Sequence, residues 1–152
     1  MTVNKSLNNL LQDFWSWAGI SEMEYANLPN ASQIVEPFYF PEFITLREKC
    51  FGLINTDMNI KEFNDFLTCL ALDEEEEIIL DWCKDIATPC FLTQLSQIGC
   101  SHLQADARWQ IAELLRCRSI PKRCSVLQHL CKDTNDYVRK RAQNAIRYLS
   151  ET

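Results

Sequence analysis

Only three glycines and five prolines punctuate this 152-residue chain. A sandwich or barrel of short strands needs a turn signal every ~8–12 residues, so this scarcity and the long periodic runs point to an all-α fold. Histidine is scarcer still. His102 and His129 stand 27 residues apart, which rules out a His-Glu-x-x-His helix, and there is neither a phosphate-cradling glycine loop nor a nucleophile elbow. No spacing singles out one cysteine as a nucleophile beside either histidine. No catalytic residue, metal or cofactor is therefore expected, and the chain reads as a protein that is not an enzyme.

Secretory and membrane features are missing too. No apolar run reaches the ~20 residues that cross a bilayer, and the start Met1-Thr2-Val3-Asn4-Lys5 lacks the charged and apolar parts of a signal. The expectation is a soluble, cytoplasmic protein without membrane contact. Cysteine is plentiful, at positions 50, 69, 83, 90, 100, 117, 124 and 131, but no Cys-x-x-Cys pair occurs. That spacing speaks against a zinc cluster. With no secretory signal, reduced core thiols acting as small hydrophobes are the stronger reading and a disulfide framework the weaker. Basic residues are rare at first: residues 1–104 hold 5 Lys/Arg against 16 Asp/Glu, a net of −11, while residues 105–152 hold 10 against 5, a net of +5. An acidic body with a basic end steers charged partners.

What is present suffices for a packed domain. Hydrophobic residues make up 47% and aromatics 11%, which excludes disorder, and the length is that of one domain. A first helix is predicted over Ser6 to Ala18 on the stripe Leu7, Leu10, Leu11 and Phe14, with Gly19 as its stop. Trp15 lies off that stripe and is expected to pack on the next segment. A short helix follows near Glu22 to Asn27, then an aromatic connector, Phe38-Tyr39-Phe40, expected to lie on the body. Pro41 suits the first turn of a helix carrying Phe43, Leu46, Cys50 and Phe51. Asn59 caps a helix through Leu70, and the run Glu74-Glu75-Glu76-Glu77 is expected to begin the next, since carboxylates favour the positive end of a helix. Thr88-Pro89 opens another helix, which Gly99 closes. These segments group as an N-terminal cap over 1–58 and three helical hairpins over 59–152, within a single domain over 1–152.

Residues 105–149 read as two copies of one unit. Placing Arg108 on Arg139, an offset of 31, aligns Ala107 with Val138, Ile111 with Ala142, Leu114 with Ala145 and Leu115 with Ile146. A fixed offset that keeps one apolar stripe marks stacked helical hairpins. Val138-Arg139 followed by Ala142, Ala145 and Ile146 resembles the second-helix pattern of HEAT repeats. In that family an Asp usually stands three residues before the Val. Here Asn135 stands there, flanked by Asp133 and Asp136, and Gln104 holds the matching place in the first copy. The resemblance implies a short HEAT-like solenoid in which Arg108 and Arg139 bond to acidic residues of adjacent turns.

The face of each inner helix turned from the core is read as the binding surface, because stacked inner helices form the concave side of such folds. Candidate partner-binding residues are Asp73, Glu74, Glu75, Glu77 and Asp81, an acidic landing patch, with Trp109, Glu113 and Tyr137 further along. Aromatics within a charged rim have the composition of a protein interface. Leu70 to Glu76, Asp106 to Ala112 and Asp136 to Ala142 resemble segments of small bacterial HEAT-repeat proteins, and the chain is similar in size, acidity and helical character to some toxin immunity proteins, including those of contact-dependent growth inhibition. That resemblance implies a partner, a cognate protein toxin that is often a basic nuclease domain, whose active site the chain covers. Two alternatives stand beside it: a HEAT-like nucleic-acid-binding or base-repair protein using Lys122, Arg123, Lys140, Arg141 and Arg147, and a general interaction scaffold. The −11 of the first 104 residues speaks against nucleic acid.

Overall fold

A computed structural model describes residues 4–152; the expectation of a signal-free start falls in part on the first three residues, which lie outside them. The described chain is all-helical: α1 (Leu7–Ala18), α2 (Glu22–Asn27), α3 (Ala31–Ile34), a 3-10 turn (Pro37–Tyr39), α4 (Phe43–Leu53), α5 (Ile60–Leu72), α6 (Ile78–Ile86), α7 (Pro89–Gly99), α8 (Ala105–Cys117), α9 (Arg123–Leu130) and α10 (Asp136–Ser150). None of these helices is long and apolar enough to cross a membrane.

Local chemistry sets most of the ends. Ser6, Ser21, Asn59, Thr88 and Asn135 each accept a first-turn backbone N–H through their side chains, each such cap supplying about 1 kcal/mol. Gly19 stops α1 in the left-handed conformation at φ 71°, which costs a residue without Cβ nothing. Arg118 closes α6 from a distance, donating to the carbonyls of Lys84 at 2.9 Å and Ala87 at 2.8 Å, so a cation meets the negative end of that helix.

Helices α4, α6, α8 and α10 pack one on the next, as do α1, α5 and α7, with α5 also lying on α8 and α9 against α8 and α10. Helix α5 is buried nearly all round: Phe63 and every residue from Asp65 to Leu72 are shielded from solvent. Gly99 permits this closeness, since a Cβ there would stand 2.8 Å from Ile111 and 2.9 Å from Leu67. Gln110 on α8 donates to the Leu70 carbonyl of α5 at 2.8 Å.

Two arginines tie helices to later turns in the same way. Arg47 of α4 reaches Asp73, just beyond α5, at 2.6 Å. Arg108 of α8 makes a two-pronged contact with Asp133, just beyond α9, at 2.8 and 3.1 Å. Arg139 donates to the Asp133 carbonyl and pairs with Asp136. Asp133 is thus the acidic partner of Arg108 and Asp136 that of Arg139, while the uncharged Asn135 serves as the cap of α10.

Three expectations need correction here. Only Phe40 of the aromatic connector is buried, while Phe38 and Tyr39 are 57% and 69% exposed; the 3-10 turn at Pro37–Tyr39 leaves only Phe40 against Phe14, at 5.4 Å. Phe51 lies beside Trp82 at 5.0 Å and is 47% exposed, so it leaves the buried stripe of α4. Of the eight thiols, all free, Cys50, Cys69 and Cys83 are buried, but Cys90, Cys117 and Cys124 are exposed.

Candidate functional site

The acidic run forms the link from α5 to α6 and not the first turn of α6. Glu77 adopts a left-handed backbone at φ 55°, which breaks the helix and makes Ile78 its first residue. Asp73 supplies the missing cap, accepting from the Ile79 N–H at 2.8 Å while Arg47 holds its other oxygen. The Asp73 side chain is therefore fully buried and cannot meet a partner. Glu75 is exposed, Glu74 and Glu77 are half-buried, and Asp81 is exposed on α6.

Beside this link lies a cavity of about 290 Å³ lined by Tyr25, Ser32, Glu74, Gln104, Asp106 and Asn135 among others. Tyr25 comes from α2, fixed by its ring against Trp15 at 5.5 Å, so Trp15 packs on the following segment as expected. Asp106 comes from the first turn of α8. Burial pushes the carboxyls of both Glu74 and Asp106 above their ordinary values, and for Glu74 the charge of Asp106 adds to the effect. An adjoining groove shares Ser32 and runs past Glu36, Phe38, Glu75 and Glu76. Ile34, at 65% exposure, lies close by in sequence to Phe38 and Tyr39. The acidic patch of the sequence thus acquires aromatic neighbours from the N-terminal cap.

Trp109, bonded to Asp106, is only 5% exposed. Its indole donates to that carboxylate at 3.0 Å, its ring meets Tyr137 at 5.5 Å, and the Arg141 guanidinium sits 4.8 Å from its centroid. Tyr137 remains 48% exposed. Glu113 is 9% exposed, because Lys84, Arg116 and Arg141 close over it at 3.3, 2.7 and 2.9 Å. Burial alone would raise its carboxyl, but the Arg116 hydrogen bond and the three cations outweigh that and bring it down to about 2. One carboxylate under three cations leaves this face basic and aromatic, with Arg116 also lying 4.9 Å from the Tyr148 ring. The acidic character expected of Glu113 is therefore internal, and Trp109 packs more than it presents. Helical periodicity placed both outward because it cannot register that α6 and α10 cover that side of α8.

His102 is 6% exposed, and burial lowers its pKa. Its Nδ1 accepts from the Gln104 N–H at 3.1 Å, and its Nε2 lies 3.2 Å from the Thr68 hydroxyl, which donates to Glu22 at 2.7 Å. This chain of bonds ties α2, α5 and the start of α8 in the interior. Among the described residues no group of three or more His, Cys, Asp and Glu is placed to hold a metal ion.

No family model, curated protein or solved structure matches this chain.

The geometry brings Glu74, Trp109 and Tyr137 to one region, joined through Asp106, and sets Asp73 and Glu113 beneath the surface. Tyr25, Glu36, Phe38, Tyr39 and Asp106 belong to the site without having been singled out by sequence pattern. Only the Asp106–Trp109 pair carried a local sign, since three residues apart on a helix a carboxylate and an indole N–H can meet.

Proposed function

We propose that this chain is a stoichiometric binding protein for a basic protein domain, which it neutralises by covering, with no chemistry of its own. The observation that carries the reading is the juxtaposition of exposed Phe38 with exposed Glu36, Glu75 and Glu76 around one groove, with the exposed Tyr39 ring 6.3 Å from that of Phe38. Aromatic anchors supply contact area and carboxylates steer the encounter, the division of labour of a protein interface. The sharper form is a HEAT-like immunity protein that covers the active site of a toxin nuclease; the successive packing of α4, α6, α8 and α10 and the repeated Arg47–Asp73 and Arg108–Asp133 ties support that stacking. Co-expression with the product of the reading frame beside its gene tests it. A one-to-one complex and protected cells are expected; absence of both removes the reading.

A second reading has its own observation. The cationic and aromatic face of Arg116, Arg141, Tyr137 and Tyr148 suits the backbone and bases of a single nucleic-acid strand. Fluorescence anisotropy with labelled single-stranded RNA and DNA separates the two: binding at low salt that weakens steeply with added salt favours nucleic acid, and no binding at low salt ends that reading.

A further inference from the structure

The cavity between α2 and the start of α8 holds a group that lacks what its chemistry requires. Tyr25 is 2% exposed and lines the cavity, and its hydroxyl oxygen is buried without a hydrogen-bond partner. Leaving such a group unpaired costs about 1–3 kcal/mol. Glu74 and Asp106 line the same cavity, and burial raises the Tyr25 phenol pKa, which the charges of both carboxylates push further. Among the described residues neither carboxylate forms an ion pair. Asp106 Oδ1 takes the Trp109 indole, and Asn135 Oδ1 is occupied by the N–H groups of Tyr137 and Val138. No Lys or Arg lines the cavity. What is missing is a positively charged donor with several N–H groups.

We propose that this cavity recognises one guanidinium group, held by the carboxylates of Glu74 and Asp106 and donating to the Tyr25 hydroxyl. A planar fork of five N–H donors serves two carboxylates and a third acceptor together, whereas an ammonium is a compact, strongly hydrated point charge. At about 290 Å³ the cavity suits a side-chain-sized group, below the ~300–1,000 Å³ of most small-molecule sites. The site deepens the binding reading above by naming an arginine of the basic partner as the inserted group, and a free guanidine metabolite shares the same chemistry.

The test is an NMR titration of the whole chain with ethylguanidinium, following the Trp109 indole and the amides of Tyr25, Glu74 and Asp106, with urea as the uncharged isostere. Saturable shifts with ethylguanidinium and none with urea are expected. Tyr25→Phe weakens binding about 3- to 10-fold while thermal stability holds or rises, since the variant removes an unpaired buried hydroxyl. Asp106→Asn keeps the acceptor for Trp109 and weakens binding at least about tenfold, the effect of losing a charged partner. Equal shifts with urea, or Tyr25→Phe binding as tightly as wild type, overturn the proposal. Tighter binding of acetyl-arginine amide than of agmatine identifies a protein side chain as the source, and the reverse order a free metabolite. If ethylguanidinium fails to saturate while a basic partner still forms a complex, the cavity proposal falls and the binding reading stands. Saturation without any protein complex leaves the guanidinium site standing and removes the binding reading.

Discussion

Single side chains in this protein do their structural work by reaching across the chain, and their partners set how each responds to change. Arg108 grips Asp133 with two donors while both side chains are largely shielded, at 14% and 7% exposure. Arg108→Ala is expected to cost about 2–3 kcal/mol, the worth of charge-assisted bonds whose loss leaves a half-buried carboxylate unpaired. Arg108→Lys recovers only part, because an ammonium lacks the fork; urea unfolding midpoints measure both. His102 owes its pKa shift to burial and not to an ion pair. Burial lowers its pKa below 6.5, so the folded state binds fewer protons than the unfolded one, and its stabilising share is present above pH 6.5 and fades as pH falls through that value. His102→Gln is expected to flatten the pH dependence of the thermal midpoint in that window. Glu113, brought down from 4.5 to about 2, contributes above pH 4.5 and loses its share as pH falls towards 2, so Glu113→Gln removes the steepest acid-side loss seen in an acid titration followed by circular dichroism.

At the level of helices, two glycines with the same backbone freedom have opposite consequences. Gly99 ends α7 where a Cβ would meet Ile111 and Leu67 inside 3 Å, so Gly99→Ala overpacks the junction of α5, α7 and α8 and costs about 1–3 kcal/mol. Gly52 lies within α4 with nothing inside 4 Å of an added Cβ, so Gly52→Ala stabilises by about 0.5–1 kcal/mol, the helical preference for alanine. Chemical denaturation of the pair checks both signs. The helices themselves were largely legible, because caps act within one turn: Ser6, Asn59, Thr88 and Gly19 each mark an end that the structure keeps. The start of α6 was not. Four adjacent glutamates favour a helix N-terminus, but Arg47, 26 residues before Asp73, draws that carboxylate inward to cap Ile79 and leaves the glutamates in the turn.

Across the whole molecule the charge division of the sequence reaches the surface selectively. Residues 1–104 carry a net −11, yet part of that charge is internal at Asp73, part is spread over exposed Glu24, Glu48, Asp57, Glu62, Asp81 and Asp85, and three exposed carboxylates, Glu36, Glu75 and Glu76, share the groove beside Phe38. Replacing these three glutamates by glutamine is expected to slow association with a basic protein about tenfold at low salt while leaving dissociation nearly unchanged, the signature of rim charges in steering. Stopped-flow binding across ionic strength checks it, and equal rates in the two proteins would remove the acidic groove from the interface. The aromatic half of the groove was hidden in the sequence: Phe38-Tyr39-Phe40 is one run, and nothing local distinguishes the ring that packs on Phe14 from the two that face solvent.

The all-helical class, most helix ends, the two aligned arginines and the uneven charge follow from the order of residues alone, since each depends on groups a turn or two apart. Which carboxylates a partner can reach depends on how the helices come together. Burial is a property of the neighbours that arrive from distant segments: Arg47 takes Asp73 inside, three cations close over Glu113, and Tyr25 and Asp106, 81 residues apart, come together around a cavity that neither segment describes.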